Sequence, residues 1–149
     1  MADKEHILAV GDLHARYDLL RKVLDELTPR LREPLRLVFL GDYIDRGPQA
    51  WEVMERLLDL ARRRPETVFL LGNHERMLLD ALEGHRVSLF LNNGGRETLA
   101  SYGLPPERVA ELPAAHLAFI RAMPLFHETD DYIFVHAGLR PGLPLEQQD

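Results

Sequence analysis

Three short apolar runs in this chain each stop at a glycine: Ile7 to Val10 before Gly11, Leu35 to Leu40 before Gly41, and Val68 to Leu71 before Gly72. Runs this short, bounded by turn signals, read as buried strands followed by sharp turns. Between them, Leu19, Leu20, Val23, Leu24 and Leu27 recur at helical spacing up to Pro29, and Trp51, Met54, Leu57, Leu58 and Ala61 do so before Pro65. Strand, helix, strand, helix, strand is the order of a parallel sheet with right-handed crossovers. Such a sheet collects its ligands outside the carboxyl ends of its strands.

Further along, the pattern predicts a helix over about Glu75 to Leu82 and a loop at Asn92 to Gly95 that caps a short helix. Two more helices are expected at Glu107 to Leu112 and Ala114 to Met123, and then a hairpin of Leu125 to Glu128 with Tyr132 to His136. The tail around Pro141, Gly142 and Pro144 reads as loop. A length of 149 residues with 46% hydrophobic side chains suits one domain, residues 1–149, with a buried core.

Polar residues follow every predicted strand. Asp12 and His14 come after the first, Asp42 and Asp45 after the second, Asn73 and His74 after the third, and His136 ends the last. One Gly-Asp pair after a strand is ordinarily just a turn. Four such positions converging on one end of a sheet form a donor set: two histidines, two carboxylates and an amide can hold two divalent ions if one carboxylate bridges. Paired ions roughly 3.5–4 Å apart are a recurring device of phosphoryl transfer. The chain has no cysteine, which excludes disulfides, zinc-thiolate sites and a thiol nucleophile and leaves imidazole, carboxylate and amide as ligands. A formal charge of -6 provides no basic footprint for nucleic acid or an anionic membrane. The apolar stretch near the N-terminus is too short for a signal peptide or a membrane span, so the expected compartment is the cytoplasm.

The strings GDLHAR (Gly11 to Arg16), GDYIDRG (Gly41 to Gly47), GNHE (Gly72 to Glu75) and VHAG (Val135 to Gly138) resemble the calcineurin-like metallophosphoesterases, and within them the bacterial serine/threonine phosphoprotein phosphatases. The resemblance implies an α/β fold, a mixed β-sheet sandwich flanked by helices, and hydrolysis of phosphomonoesters, with phosphoserine or phosphothreonine in proteins as substrate. It implies two divalent ions, manganese first, with iron, zinc or magnesium as alternatives. Asp12 and His14 would bind the first ion, Asp42 would bridge both, and Asn73 and His136 would bind the second. A hydroxide bridging the ions would attack phosphorus. His74 would protonate the leaving group, the Asp45 carboxylate would orient its imidazole and raise its pKa, and Arg46 would grip the phosphate.

Three departures qualify the resemblance. Ala15 stands where the family has glycine. Leu71 stands where the eukaryotic-like phosphatases carry arginine before the GNHE glycine, and is similar to what the diadenosine tetraphosphate hydrolases show there, so dinucleoside polyphosphate hydrolysis is the alternative function. No Gly-His pair follows His136, whereas the family supplies a further histidine ligand there, so the expectation is a C-terminally truncated domain whose second metal is one ligand short. A non-catalytic scaffold is the alternative from another class.

Other residues have plainer readings. His6, His85, His116 and His127 read as surface or satisfied structural histidines. Arg62, Arg63 and Arg64 end a helix and read as solvated charge. Glu75 reads as ordinary first-turn acid. Asn93 and Arg96, in an NGG segment similar to one beside the substrate cleft of bacterial relatives, read equally as substrate contacts or as helix capping.

Overall fold

The computed structural model describes residues 5–148. Strand β1 (His6–Val10) pairs in parallel with β2 (Leu35–Phe39), and β2 with β3 (Val68–Phe69), giving the order β1-β2-β3. Val10 lies opposite Phe39, and Phe39 opposite Phe69. The three apolar runs therefore end in line, and the turns that follow them open at one edge. Leu37, Val38 and Phe39 are fully enclosed. The Phe39 ring stacks on Phe69 at 5.3 Å, and Phe69 meets Phe119 edge to face at 5.1 Å.

Helix α1 (Tyr17–Arg21) packs against α2 (Ala50–Arg63), whose Val53, Met54 and Leu57 are buried. Helix α1 does not run evenly to Leu27 as the leucine spacing suggests. It continues as a π-helical segment, Lys22–Leu27, and a 3-10 turn, Thr28–Arg30, that contains Pro29. Strand β3 is also shorter than its apolar run: the Leu70 N–H still bonds Phe39 at 2.9 Å, but the Leu71 N–H turns to the Pro124 carbonyl at 2.9 Å, which takes that peptide out of the sheet.

Helix α3 (Asn73–Leu82) begins two residues earlier than the hydrophobic pattern marks, so Asn73 and His74 occupy its first turn. The Asn92 to Gly95 segment is not a loop. Helix α4 (Val87–Phe90), a π-helical turn Leu91–Gly95 and α5 (Arg96–Ser101) form one kinked helical stretch, bent where Gly94 takes a φ of 109°. A 3-10 turn, Pro106–Glu111, leads to α6 (Ala114–Arg121). Strands β4 (Phe126–Glu128) and β5 (Ile133–Val135) pair antiparallel as a separate two-stranded sheet, with Phe126 opposite Val135. The fold is α/β, with one parallel and one antiparallel sheet and helices around them. Among the described residues, no helix is long and apolar enough to cross a membrane.

Candidate metal and catalytic site

The turn after β1 is bonded to the turn after β2. The amides of Leu13 and His14 both donate to the Asp42 carbonyl at 3.0 and 2.9 Å, and the Ala15 amide donates to the Tyr43 carbonyl at 2.7 Å. The Tyr43 hydroxyl, buried in the core, donates to the Leu70 carbonyl at 2.8 Å and so ties the second turn to the third. The Glu75 carboxylate completes the join. It accepts N–H bonds from Asp42 at 2.9 Å, Tyr43 at 2.8 Å, Ile44 at 3.2 Å and Gly72 at 3.1 Å. A Cβ at Gly72 would strike the Asp42 amide, so only glycine admits this approach.

The backbone is strained along the same rim. His14 (φ 43°), Ala15 (54°), Asp42 (56°), Asp45 (68°) and Arg46 (67°) are all left-handed without being glycine. Such conformations cost roughly 1–3 kcal/mol each and cluster at functional sites, where surrounding bonds over-determine them. Ala15 is fully buried at one of these positions, so the alanine carries a backbone penalty that glycine would not.

The strain aims acceptors at one another. The His14 Nδ1–H donates to the Ile44 carbonyl at 3.1 Å and the His136 Nδ1–H to the Leu40 carbonyl at 2.9 Å, so each Nε2 presents a lone pair to the site. His14 Nε2 faces Asp12 Oδ2 and Asp42 Oδ2, each at 3.7 Å. His136 Nε2 faces Asn73 Oδ1 at 3.0 Å and Asp42 Oδ1 at 3.4 Å. The His14 and His136 Nε2 atoms and the Asp12, Asp42 and Asn73 oxygens thus converge on one another, and a cation among them offsets their crowding; the Arg46 guanidinium does so only in part, reaching His14 Nε2 at 3.0 Å. This nitrogen and oxygen donor set therefore fits divalent metal. The candidate ligand groups are His14, Asp42 and His74, and Asp12, Asp42 and His136, with Asp42 common to both. This grouping differs from the one read off the motifs: Asp12 falls with His136 as well as with His14, and His74 lies against the cluster, 3.9 Å from Asp42 Oδ2.

Asp42 is anchored from behind by α3, whose first turn donates the His74 N–H to Asp42 Oδ1 at 3.1 Å, an otherwise unpaired donor at a helix N-terminus. The His74 Nδ1 lies 2.7 Å from Asp45 Oδ2, with both side chains shut off from solvent. Arg46 is exposed and donates to His14 Nε2 and His74 Nε2, each at 3.0 Å, so its guanidinium lies over the mouth. The resemblance implies that Asp45 raises the His74 pKa; in the metal-free protein the net shift is downward. Burial lowers it, and outweighs the raising effect of the Asp42 charge.

Burial also pushes the Asp45 carboxyl up to about 7, against the Thr98 hydrogen bond, and the Glu75 carboxyl up to about 7, helped by the Asp42 charge and opposed by the backbone amides it accepts from. These groups hold protons more tightly folded than unfolded, where values of 3.8 and 4.5 apply. The metal-free protein should accordingly lose stability as pH rises from about 4 to about 7, and level off above. Urea titrations in chelator across that range check this; stability that rises through it would mean that the amide donors hold both groups ionised.

Sequence reasoning missed two side chains here. Glu75 passes for a helix-start residue, and its only local signal is its place three residues after Gly72. Thr98 has no motif signal, yet its hydroxyl donates to Asp45 Oδ1 at 2.6 Å and accepts from the Asp45 amide at 2.8 Å. The Asn93 side chain donates to the Leu89 carbonyl at 2.8 Å, one turn back in the same kinked helical stretch, and Arg96 is exposed at the start of α5, which has no side-chain cap. His116 is buried between the Tyr102 hydroxyl at 2.7 Å and Glu55 at 2.8 Å, a satisfied structural histidine. Arg63 and Arg64 pair with Asp59 and Glu66.

A cleft of about 690 Å³ opens beside Asn73 and His136. Leu71, Met77, Leu89 and Leu125 give it apolar walls, and Arg76 and Arg86 stand at its edge.

The calcineurin-like phosphoesterase family profile matches residues 5–148. The chain is 40% identical over 90 residues to serine/threonine-protein phosphatase 2 of Escherichia coli, covering 60% of this chain and 38% of that protein. It is 30% identical over 139 residues to the symmetrical bis(5'-nucleosyl)-tetraphosphatase of Nitrosomonas europaea, covering 93% of this chain and 47% of that one. In fold it is similar to the cold-active protein-tyrosine phosphatase of a psychrophilic Shewanella, with a TM-score of 0.64 at 21% identity over 94% of this chain and 45% of that one. The chain thus spans about half or less of the length of these relatives. With a profile match over nearly all the described residues and a rim of converging acceptors at the ends of β1, β2 and β3, the chain belongs to the calcineurin-like phosphoesterases.

Proposed function

We propose that this chain is a single domain that hydrolyses phosphomonoesters with two divalent metal ions, manganese first, acting on phosphoserine or phosphothreonine in proteins. The observation that carries this reading is the set of lone pairs from Asp12, His14, Asp42, Asn73 and His136 turned toward one another beside the enclosed Asp45 and His74 pair. Asp12 and His14 would hold one ion, Asn73 and His136 the other, and Asp42 would serve both through its two oxygens. Bound there, two divalent cations make water nucleophilic near neutral pH and offset the charge of the phosphate.

The chain's own residues supply the rest. Arg46 is exposed and reaches both imidazoles, so its planar fork can transfer to two phosphate oxygens when substrate enters. Protonated His74 keeps its Nδ1–H on Asp45 and offers its Nε2–H to the ester oxygen as that oxygen leaves. Asp12, Asn73 and Arg46 are exposed, which suits a phosphate presented on a macromolecule.

A second reading is hydrolysis of dinucleoside polyphosphates. It is favoured by the apolar cleft beside Asn73, in which Leu71 offers a surface to a nucleobase. Phosphate release from a phosphoserine peptide and from diadenosine tetraphosphate, each with manganese, separates the two. Faster release from the peptide supports the first reading, and the reverse supports the second. Failure on both, with fewer than two ions bound per chain, would leave a non-catalytic scaffold.

A further inference from the structure

The NGG segment and α5 lie outside the four polar turns, yet they are built against the residues that carry two of the proposed catalytic groups. A Cβ added to Gly94 would strike the Arg46 amide nitrogen and lie 3.0 Å from the Asp45 Cβ, so the kink at Gly94 lets the helical stretch rest directly on the backbone of that pair. One turn further on, Thr98 is 1% exposed. Its hydroxyl makes two bonds to one residue, donating to Asp45 Oδ1 and accepting from the Asp45 amide. Asp45 and Arg46 are consecutive left-handed residues, a conformation that reverts unless outside bonds hold it. Asp45 makes its other carboxylate bond, at 2.7 Å, to His74 Nδ1.

We infer that Thr98 is a positioning residue for the acid pair: its hydroxyl fixes Asp45 in the left-handed turn, so that the second carboxylate oxygen holds the His74 ring with Nε2 toward the substrate. This inference rests on the reading of His74 as general acid. It gives the NGG segment a role through Gly94 and Thr98, where the sequence offers Asn93 and Arg96. Threonine suits the place because one hydroxyl both donates and accepts, while its methyl group suits a position that is buried.

The test compares Thr98→Val, which keeps the shape and removes the hydroxyl, with Thr98→Ser, which keeps it. In metal-free protein the readout is the His74 Nδ1 proton in nitrogen-edited nuclear magnetic resonance, assigned by its loss in His74→Asn. It should move or broaden in Thr98→Val and return in Thr98→Ser. With manganese, Thr98→Val should lower kcat on an alkyl phosphate about tenfold with KM unchanged, leave nitrophenyl phosphate within about twofold, and recover in Thr98→Ser. An unmoved His74 signal in Thr98→Val, or equal losses on both esters while His74→Asn discriminates between them, overturns the inference. If His74→Asn itself affects both esters equally, the acid reading fails, while the resonance arm still decides whether Thr98 positions the pair. Should Thr98→Val not fold, Thr98→Ala is scored by the same signal, and failure of Thr98→Ser to keep the parent signal overturns the inference directly.

Discussion

Asp42→Asn is expected to abolish binding of both metal ions while leaving the metal-free fold at least as stable as the parent. Asp42 contributes one carboxylate oxygen toward His14 and the other toward His136, so no other described side chain can substitute for it in both groups. Loss of even an outer partner of a metal ligand costs about 10–100-fold in affinity, and loss of a shared ligand should exceed that. The amide keeps an oxygen that can accept the His74 N–H. It also removes a negative charge that raises the neighbouring Asp45 and Glu75 carboxyls, so crowding of charge falls. Calorimetric titration with manganese and melting with and without it check both halves. The parent should gain about 3 kcal/mol at a hundredfold excess over Kd, and the variant nothing. Parental affinity in the variant would remove Asp42 from the centre of the site.

His74→Asn should retain metal and lose most turnover on alkyl esters, by about 10² to 10⁴-fold, because an alkoxide leaves poorly without a proton. Nitrophenyl phosphate, whose leaving group needs no proton, should be spared. Asparagine leaves Asp12, His14, Asn73, Asp42 and His136 in place, so ion stoichiometry should stay at the parent level. His74 also lies 3.9 Å from Asp42 Oδ2, and this gives the experiment its edge: lower metal stoichiometry in the variant would make His74 a ligand, and equal loss on both esters would remove its role as acid. The comparison of ester classes is best made at pH values above and below 7, since burial lowers the His74 pKa while raising that of its partner.

The scaffold and the inventory of polar groups were legible in the order of residues. Apolar runs, glycines and helical spacing are local signals, and they located β1, β2, a β3 drawn two residues too long, α2 and the closing hairpin, because period and turn chemistry are set within a few residues. They also put Asp12, His14, Asp42, Asn73, His74 and His136 at strand ends or helix starts. The remainder depends on partners distant along the chain. Glu75 clamps amides about thirty residues away, and Thr98 reaches Asp45 across 53 positions. No window of sequence contains both members of either pair. The direction of the His74 shift likewise follows from enclosure by the whole fold, and the kink at Gly94 follows from the Arg46 backbone it must clear. Chain-local chemistry named the groups; packing chose their tautomers, their neighbours and the strained turns that point them at one another.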